Sequence, residues 1–207
     1  MQSVTEMLGT NRIVPVVKIE EAARAPDVGG ALVDAGITVI EITFRTPAAA
    51  EAIGRCRDVK ALRVGAGTVR TTEQVDRAID GGAEFLVAPG FDPAIVEHAA
   101  KRGIPHIPGT ITPSEIERAV SYGLEVLKFF PAESAGGTGF LKAVSAVFPE
   151  VSFVPTGGIN AANLAEYLAL PNVAACGGSW MVKSDWIAGG DYARIETAAR
   201  EAVAAVS

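Results

Sequence analysis

Lys128 is a charged residue within an apolar segment. It lies in the run VLKFF at residues 126–130, which Pro131 follows. An ammonium group loses hydration when it leaves water, so burial favours the uncharged amine, which is the nucleophilic form. Such a lysine can attack a carbonyl carbon and form an imine. The alternative is a structural lysine whose ammonium group reaches solvent or pairs with a carboxylate.

Three polar side chains alternate along another apolar run, VIEITFR at residues 39–45. Successive residues of a strand point to opposite faces, so Glu41, Thr43 and Arg45 are predicted to share one face. If that face points toward Lys128, Glu41 is the candidate for proton transfer and Arg45 for binding a carboxylate. The alternative is a structural salt bridge between Glu41 and Arg45.

Glycine-rich sequences end several other runs. The sequence GAGT at residues 65–68 allows close approach of a ligand to the backbone, and Thr68 can donate a hydrogen bond to a carboxylate; a plain tight turn is the alternative. PTGG at residues 155–158 and CGGS at residues 176–179 predict two Gly-Gly turns, each followed by a helix start. Backbone N–H groups of such turns bind anions, which predicts a phosphate site with Ser179 as a further donor.

These groups together suit a phosphorylated α-keto acid. An arginine and a threonine would hold its carboxylate, Lys128 would attack its ketone, and the glycine loops would hold its phosphate. The imine is an electron sink, so the adjacent carbon–carbon bond can break and leave an enamine. Glu41 would transfer protons directly or through one water molecule.

Eight short apolar runs alternate with segments of helical pattern. The runs cover residues 13–17, 38–44, 62–66, 85–88, 104–107, 126–130, 152–155 and 173–176. Helix starts are predicted at Thr71, Asp92 and Thr112, and helix ends at Gly36 and Gly103. Eight strand–helix units predict an α/β fold, a closed (β/α)₈ TIM barrel, with working residues at the carboxyl ends of the strands. The alternative is an open doubly wound sheet, although no GxGxxG sequence follows the first run.

The composition limits the possible partners. A chain of 207 residues, 49% hydrophobic, fits a compact single domain over residues 1–207, with a helix in its first dozen residues packed over the N-terminal end of the barrel. A net charge of −6 argues against a nucleic-acid surface, and no apolar stretch is long enough to span a membrane. Two cysteines, Cys56 and Cys176, are too few for a disulfide framework, which favours the cytoplasm. His98 and His106 lack neighbours with metal-ligand spacing, so neither a metal nor another cofactor is expected, and a magnesium ion held by carboxylates and substrate is the alternative.

Several of these motifs resemble one known family. They are EITFRT (41–46), VGAGTV (64–69), LKFFPAE (127–133), PTGGI (155–159) and GGSW (177–180). In this order, over nearly the whole chain, they resemble 2-keto-3-deoxy-6-phosphogluconate (KDPG) aldolase. The resemblance implies a homotrimer of (β/α)₈ barrels that needs no metal. It further implies a Schiff-base lyase of the Entner–Doudoroff route, which cleaves KDPG to pyruvate and glyceraldehyde 3-phosphate.

The resemblance also implies roles for individual residues. The Schiff-base lysine falls on Lys128 and the acid/base glutamate on Glu41, while the contacts to the pyruvate carboxylate fall on Arg45 and Thr68. The walls of the pyruvate pocket and the contacts to phosphate and hydroxyl groups fall on Pro89, Phe130, Thr156, Gly157, Gly158, Gly178 and Ser179.

Three alternatives remain within this interpretation. Relatives that act on the galactonate epimer look similar but tend to carry an apolar residue at the position of Thr156, so Thr156 favours the gluconate substrate. Cleavage of 4-hydroxy-2-oxoglutarate remains open as a second activity. A phosphate-binding barrel of the epimerase or thiamine-phosphate-synthase kind, or a sugar-phosphate sensor that forms no imine, would share the late glycine loops without needing Lys128.

Overall fold

The structure, a computed structural model, describes residues 4–8 and 10–206, in which strands alternate with helices. The strands are β1 (Ile13–Val17), β2 (Val39–Thr43), β3 (Arg63–Gly67), β4 (Phe85–Val87), β5 (His106–Ile107), β6 (Gly109–Thr110), β7 (Val126–Phe129), β8 (Ser152–Pro155) and β9 (Cys176–Gly178). The helices are α1 (Val4–Met7), α2 (Ala25–Asp34), α3 (Ala49–Cys56), α4 (Thr72–Gly81), α5 (Pro93–Arg102), α6 (Pro113–Ser121), α7 (Gly137–Ser145), α8 (Leu164–Leu168), α9 (Ser184–Gly189) and α10 (Tyr192–Ala204). None of the helices in the described residues is long and apolar enough to cross a membrane.

The strands form a curled parallel arrangement in two sheets. One sheet has the order β5-β4-β3-β2-β1-β9 and the other the order β6-β7-β8. The sheets adjoin at Pro108, which separates β5 from β6 and whose carbonyl accepts a hydrogen bond from the Lys128 amide at 2.9 Å. They also adjoin where Thr156, after β8, forms an isolated parallel bridge with Gly177 of β9. The chain therefore has an α/β fold with a curled parallel sheet.

Local sequence signals define the helix ends. The Thr71 hydroxyl caps α4 and the Asp92 carboxylate caps α5, each by accepting a hydrogen bond from a backbone N–H of the first turn. Thr112 and Glu115 form a capping box at the start of α6. Gly103 ends α5 with a left-handed backbone conformation (φ 69°). The helix starts predicted at Thr71, Asp92 and Thr112 are therefore confirmed, and each depends on neighbouring residues alone.

Two of the predicted strands differ from the observed ones by more than one residue at an end. The run at 104–107 contributes only β5, and β6 continues it beyond Pro108, because proline has no N–H for a sheet hydrogen bond. The prediction of a strand at 173–176 was wrong by several residues, since β9 starts at Cys176. Gly177 and Gly178 pair there with Val14 and Pro15 of β1.

The predicted N-terminal helix is observed as α1, and residues 1–3 and 9 of the predicted segment lie outside the described residues. Leu8, after α1, is buried and lies with Ile13 and Val39 around a small cleft at the N-terminal ends of β1 and β2. The segment therefore covers the end of the sheet opposite the predicted site.

Candidate active site

Glu41 and Lys128 meet in the space enclosed by the two sheets. Glu41 lies on β2 and Lys128 on β7, and Oε1 of Glu41 is 3.3 Å from Nζ of Lys128. The residues are only 2% and 5% exposed. The ammonium group of Lys128 therefore has a carboxylate as its partner instead of bulk water, and the two groups predicted to do chemistry are in direct contact.

Two glycines of β3 make room for side chains on the same face. A Cβ built on Gly67 would lie 2.1 Å from Oε1 of Glu41, and one built on Gly65 would lie 2.2 Å from the ring of Phe85. These glycines were predicted to admit a ligand or to form a turn. Instead they lie within β3, where they leave space for Glu41 and for the buried ring of Phe85, a packing role that the sequence did not predict.

Arg45 lies beyond the end of β2. The prediction that strand alternation continues to Arg45 was wrong, because β2 ends at Thr43 and the Arg45 amide donates to the Thr43 carbonyl in a tight turn (2.7 Å). The Arg45 guanidinium nevertheless returns to the same strand, since its Nε donates to Oγ1 of Thr43 at 3.0 Å. The Thr43 hydroxyl in turn donates to the Val17 carbonyl (2.9 Å). In the described residues Glu41 pairs with Lys128, and Arg45 forms no ion pair with it.

Three further predicted residues border the same end of the sheets. The ring of Phe130 is 5.5 Å from Nζ of Lys128 and is 36% exposed, so it forms an outer wall beside the amine. Thr68 directly follows β3 with a left-handed backbone (φ 57°), and Pro89 lies two residues beyond β4. Within residues 4–8 and 10–206, no hydrogen bond or ion pair joins Thr68 or Pro89 to Lys128.

The turn after β8 has the backbone of an anion site. Gly157 and Gly158 have φ values of 95° and 86°, which glycine adopts without the steric cost other residues meet. The bridge between Thr156 and Gly177 directs the Gly157 amide toward the Gly177 carbonyl, whereas the Gly158 amide donates to no protein group in the described part of the chain. Thr156 precedes them and is buried, with its hydroxyl donating to the Val154 carbonyl at 3.3 Å.

The second Gly-Gly pair is not a turn. Gly177 and Gly178 belong to β9, and a Cβ on Gly177 would lie 2.4 Å from Oγ1 of Thr156. A Cβ on Gly178 would lie 1.9 Å from the ring of Trp180, so these glycines admit neighbouring side chains. Helices were predicted to begin directly after both Gly-Gly pairs. Both predictions were misplaced, because α8 begins at residue 164 and α9 at residue 184. Ser179 follows β9 and is exposed.

The remaining titratable groups of interest lie outside this site. Burial lowers the pKa of His106 to about 4 and raises the pKa of Cys56 and of Cys176 to about 12. Among the described residues, no three His, Cys, Asp or Glu side chains are grouped so that they could hold a metal ion.

Comparisons with known proteins place this geometry in a family. The family model "Aldolase: KDPG and KHG aldolase" matches residues 4–198. The chain belongs to this family. The 2-dehydro-3-deoxy-phosphogluconate aldolase of Treponema pallidum (strain Nichols) is 48% identical over 196 residues, which are 94% of this chain and 93% of that protein.

Two further relatives cover the chain as completely. The KHG/KDPG aldolase of Escherichia coli (strain K12) is 42% identical over 202 residues, 97% of this chain and 95% of that protein. A crystal structure of KDPG aldolase from Legionella pneumophila, with pyruvate captured at low pH as a covalent carbinolamine intermediate, superposes with a TM-score of 0.93 at 38% identity. The match covers 100% of this chain and 99% of that one. The KDPG aldolase resemblance of the motifs is thereby confirmed.

Proposed function

We propose that this protein is a class I aldolase that cleaves KDPG to pyruvate and D-glyceraldehyde 3-phosphate through an imine on Lys128. The observation that carries the proposal is the buried pair of Lys128 and Glu41 at 3.3 Å in a member of the KDPG and KHG aldolase family. An amine held next to a carboxylate in a water-poor space has both a nucleophile and a proton carrier within reach.

The proposed mechanism follows from these two groups. The Lys128 ammonium group passes a proton to Glu41, and the free amine adds to the C2 ketone. Glu41 then returns the proton to the carbinolamine hydroxyl, which leaves as water and gives an iminium ion. Glu41 removes the proton of the C4 hydroxyl, the C3–C4 bond breaks, and its electron pair moves to the iminium carbon and nitrogen as an enamine. The aldehyde leaves, C3 takes up a proton, and hydrolysis of the resulting imine releases pyruvate and the free lysine.

The carboxylate end and the phosphate end of the substrate are proposed to bind to different parts of the site. Arg45 and Thr68 would hold the C1 carboxylate by charge-assisted and neutral hydrogen bonds, and Pro89 and Phe130 would enclose the pyruvate carbon atoms. The phosphate and its neighbouring hydroxyl groups would meet the loop residues Thr156, Gly157, Gly158, Gly178 and Ser179. The unpaired Gly158 amide and the positive φ values of the turn at 157–158 support this placement of the phosphate.

We further infer that the two sheets form one closed (β/α)₈ barrel in a single domain over residues 1–207. Only Pro108 separates β5 from β6, and the bridge between Thr156 and Gly177 joins β8 to β9, so eight strand units follow one another around the curl. A homotrimer is inferred from the family resemblance, and a solution mass three times that of the chain would test it. Two buried free cysteines support a reducing, cytoplasmic setting.

Borohydride trapping tests the proposed function. Sodium borohydride added with pyruvate is expected to leave a reduced adduct on Lys128, located by peptide mass spectrometry. The Lys142→Arg variant is the control and should be trapped equally well. Adducts on Lys18 or Lys142, or binding of the phosphorylated substrate without any adduct, would contradict the proposal. The second outcome would favour the sugar-phosphate sensor.

A second candidate activity is cleavage of 4-hydroxy-2-oxoglutarate. It is favoured by the name of the E. coli relative, a KHG/KDPG aldolase. The galactonate epimer of KDPG is the remaining alternative substrate, and the polar Thr156 argues for the gluconate epimer. Measuring kcat/KM for all three keto acids with one preparation decides among them.

A further inference from the structure

The turn after β8 rests on the segment after β7. The Ala132 amide donates to the Thr156 carbonyl (2.8 Å), and the Glu133 amide donates to the Gly157 carbonyl (3.1 Å). These two hydrogen bonds fix the orientation of two successive peptide groups of the turn. The segment that follows Lys128 in sequence therefore also supports the proposed phosphate loop.

The next carbonyl of the turn, that of Gly158, is held by side chains that follow the turn in sequence. The Gly158 carbonyl accepts hydrogen bonds from the side-chain amides of Asn160 and Asn163, each at 3.1 Å. All three carbonyls of residues 156–158 thus have protein donors. Since the peptide groups are held by their oxygen atoms, the Gly158 N–H group, which has no partner among the described residues, remains available for an anion.

The side chain of Glu133 packs against the turn at 157–158. A Cβ built on Gly158 would be 2.4 Å from Cγ of Glu133, so the two residues pack as closely as a glycine permits. The hydroxyl of Tyr167 donates a hydrogen bond to Oε1 of Glu133. Tyr167 belongs to α8 and is only 1% exposed, so this carboxylate oxygen is directed toward the protein interior.

The Tyr167 hydroxyl stays protonated and can donate its hydrogen bond to the Glu133 carboxylate throughout the neutral pH range. Burial, and then the hydrogen bond to Glu133, raises the pKa of Tyr167 well above its usual value, so the phenol keeps its proton at neutral pH. A carboxylate next to an anion site would repel a phosphate dianion if it turned toward it. The hydroxyl offers the carboxylate a partner on the opposite side.

We propose that Glu133 and Tyr167 are positioning residues for the phosphorylated end of the substrate. Glu133 supports the turn at 157–158 from below, and Tyr167 holds the Glu133 carboxylate away from the phosphate. Neither residue touches the reacting carbon atoms. This inference rests on the proposed function, because it concerns how the same site distinguishes phosphorylated from unphosphorylated keto acids.

The test uses Tyr167→Phe, which removes one oxygen atom and keeps the buried ring. The KM for KDPG is expected to rise roughly ten- to a hundredfold, the range for a lost hydrogen bond to a charged group. The KM for 4-hydroxy-2-oxoglutarate, which has no phosphate, and borohydride trapping of pyruvate on Lys128 should stay nearly unchanged. A merely structural role would alter both substrates alike.

A second substitution tests the charge. In the Tyr167→Phe protein, Glu133→Gln removes the charge of the released side chain and is expected to lower the KM for KDPG again. In the otherwise unchanged protein, Glu133→Ala removes the side chain that packs against the turn at 157–158. The KM for KDPG should again rise, and the KM for 4-hydroxy-2-oxoglutarate should not. The matched control is Tyr122→Phe, whose hydroxyl contacts Glu97 on the surface (3.5 Å).

The outcomes separate this inference from the function on which it rests. If the unmodified protein forms no imine at Lys128, the proposed function fails. If the imine forms but Tyr167→Phe and Glu133→Ala behave like Tyr122→Phe, the positioning role alone is overturned. If the Glu133→Gln change brings no recovery in the Tyr167→Phe protein, the repulsion of phosphate by Glu133 is overturned.

Discussion

Gly67 lies so close to Glu41 that a Cβ on Gly67 would be 2.1 Å from the carboxylate oxygen Oε1. The same oxygen is 3.3 Å from Nζ of Lys128. A residue on β3 thus decides where the carboxylate of β2 can lie relative to the amine of β7. The proposed proton carrier is positioned by the absence of a side chain on the neighbouring strand.

Gly67→Ala is therefore expected to displace the Glu41 carboxylate from Lys128. A shift of about 1 Å at a catalytic group can reduce turnover by roughly 10²-fold, and kcat for KDPG cleavage should fall on that scale. The control is Gly30→Ala in helix α2, where a Cβ meets no atom within 4 Å. Equal activity of the two variants would show that the position of Glu41 does not limit turnover.

Glu41→Gln separates proton transfer from structure. The amide keeps the shape of the side chain but cannot carry a proton, so kcat should fall by roughly 10²–10⁴-fold. Exchange of the pyruvate methyl protons with deuterated water reports enamine formation without an aldehyde and should slow in parallel. Near-normal exchange in the folded variant would leave Glu41 with a structural role only.

Arg45→Ala is expected to act on binding instead. Arg45 is exposed and contacts Thr43, so its removal should leave the fold intact and raise KM for every pyruvate-bearing substrate. Comparing kcat and KM of this variant with those of Glu41→Gln shows whether Arg45 and Glu41 have separate roles or act together as one salt bridge. Similar profiles for both variants would support the single unit.

Gly158→Ala should impair phosphorylated substrates selectively. The new methyl group would be 2.4 Å from Cγ of Glu133 at a backbone φ of 86°, so the turn must move. We expect a lower kcat/KM for KDPG and unchanged trapping of pyruvate on Lys128. Gly103→Ala has comparable backbone strain (φ 69°) but no neighbour within 4 Å, and it serves as the control. Equal loss of KDPG cleavage and of pyruvate trapping would argue against phosphate binding by this turn.

Chelation provides a separate test of the chemistry. If the electron sink is the imine on Lys128, dialysis against EDTA should leave kcat unchanged, and added Mg²⁺ or Zn²⁺ should not increase it. A loss of activity that a divalent metal restores would require a metal-assisted mechanism.

His106 should make stability depend on pH. It is 6% exposed, its ring nitrogens have no partner in the described residues, and burial lowers its pKa from 6.5 to about 4. As pH falls between these values, the unfolded chain binds the proton first, so the free energy of unfolding should fall by up to roughly 3 kcal/mol. Urea titrations at several pH values should show this fall in His98→Gln but not in His106→Leu.

Much of the fold was predictable because its signals are local. The run at 152–155 and the caps at Thr71, Asp92 and Thr112 depend on residues within a few positions of one another. The start of β9 was not predictable in the same way. The run at 173–176 is apolar and buried, but only its last residue, Cys176, pairs with β1. The strand continues through the glycines at 177–178, whose partners lie over 160 positions away in sequence.

In the site, too, features that depend on local sequence were predictable and features that depend on distant contacts were not. The chemical types of Lys128 and Glu41 identified the reacting pair, and strand alternation placed Glu41 on the correct face. The contact of Tyr167 with Glu133 joins residues 34 positions apart, and no sequence pattern connects them. Likewise, the space that Gly65 leaves for Phe85 depends on the register of β3 and β4, which apolar patterning does not specify.

The two native thiols have a practical consequence for spectroscopy. Cys56 and Cys176 are completely buried, and burial raises the pKa of each to about 12, so almost no thiolate forms at neutral pH. A cysteine introduced at an exposed position would ionise far more readily and react selectively with maleimide dyes. Fluorescent labels or spin labels can thus be attached at chosen sites around the turn at 157–158 without first replacing either native residue.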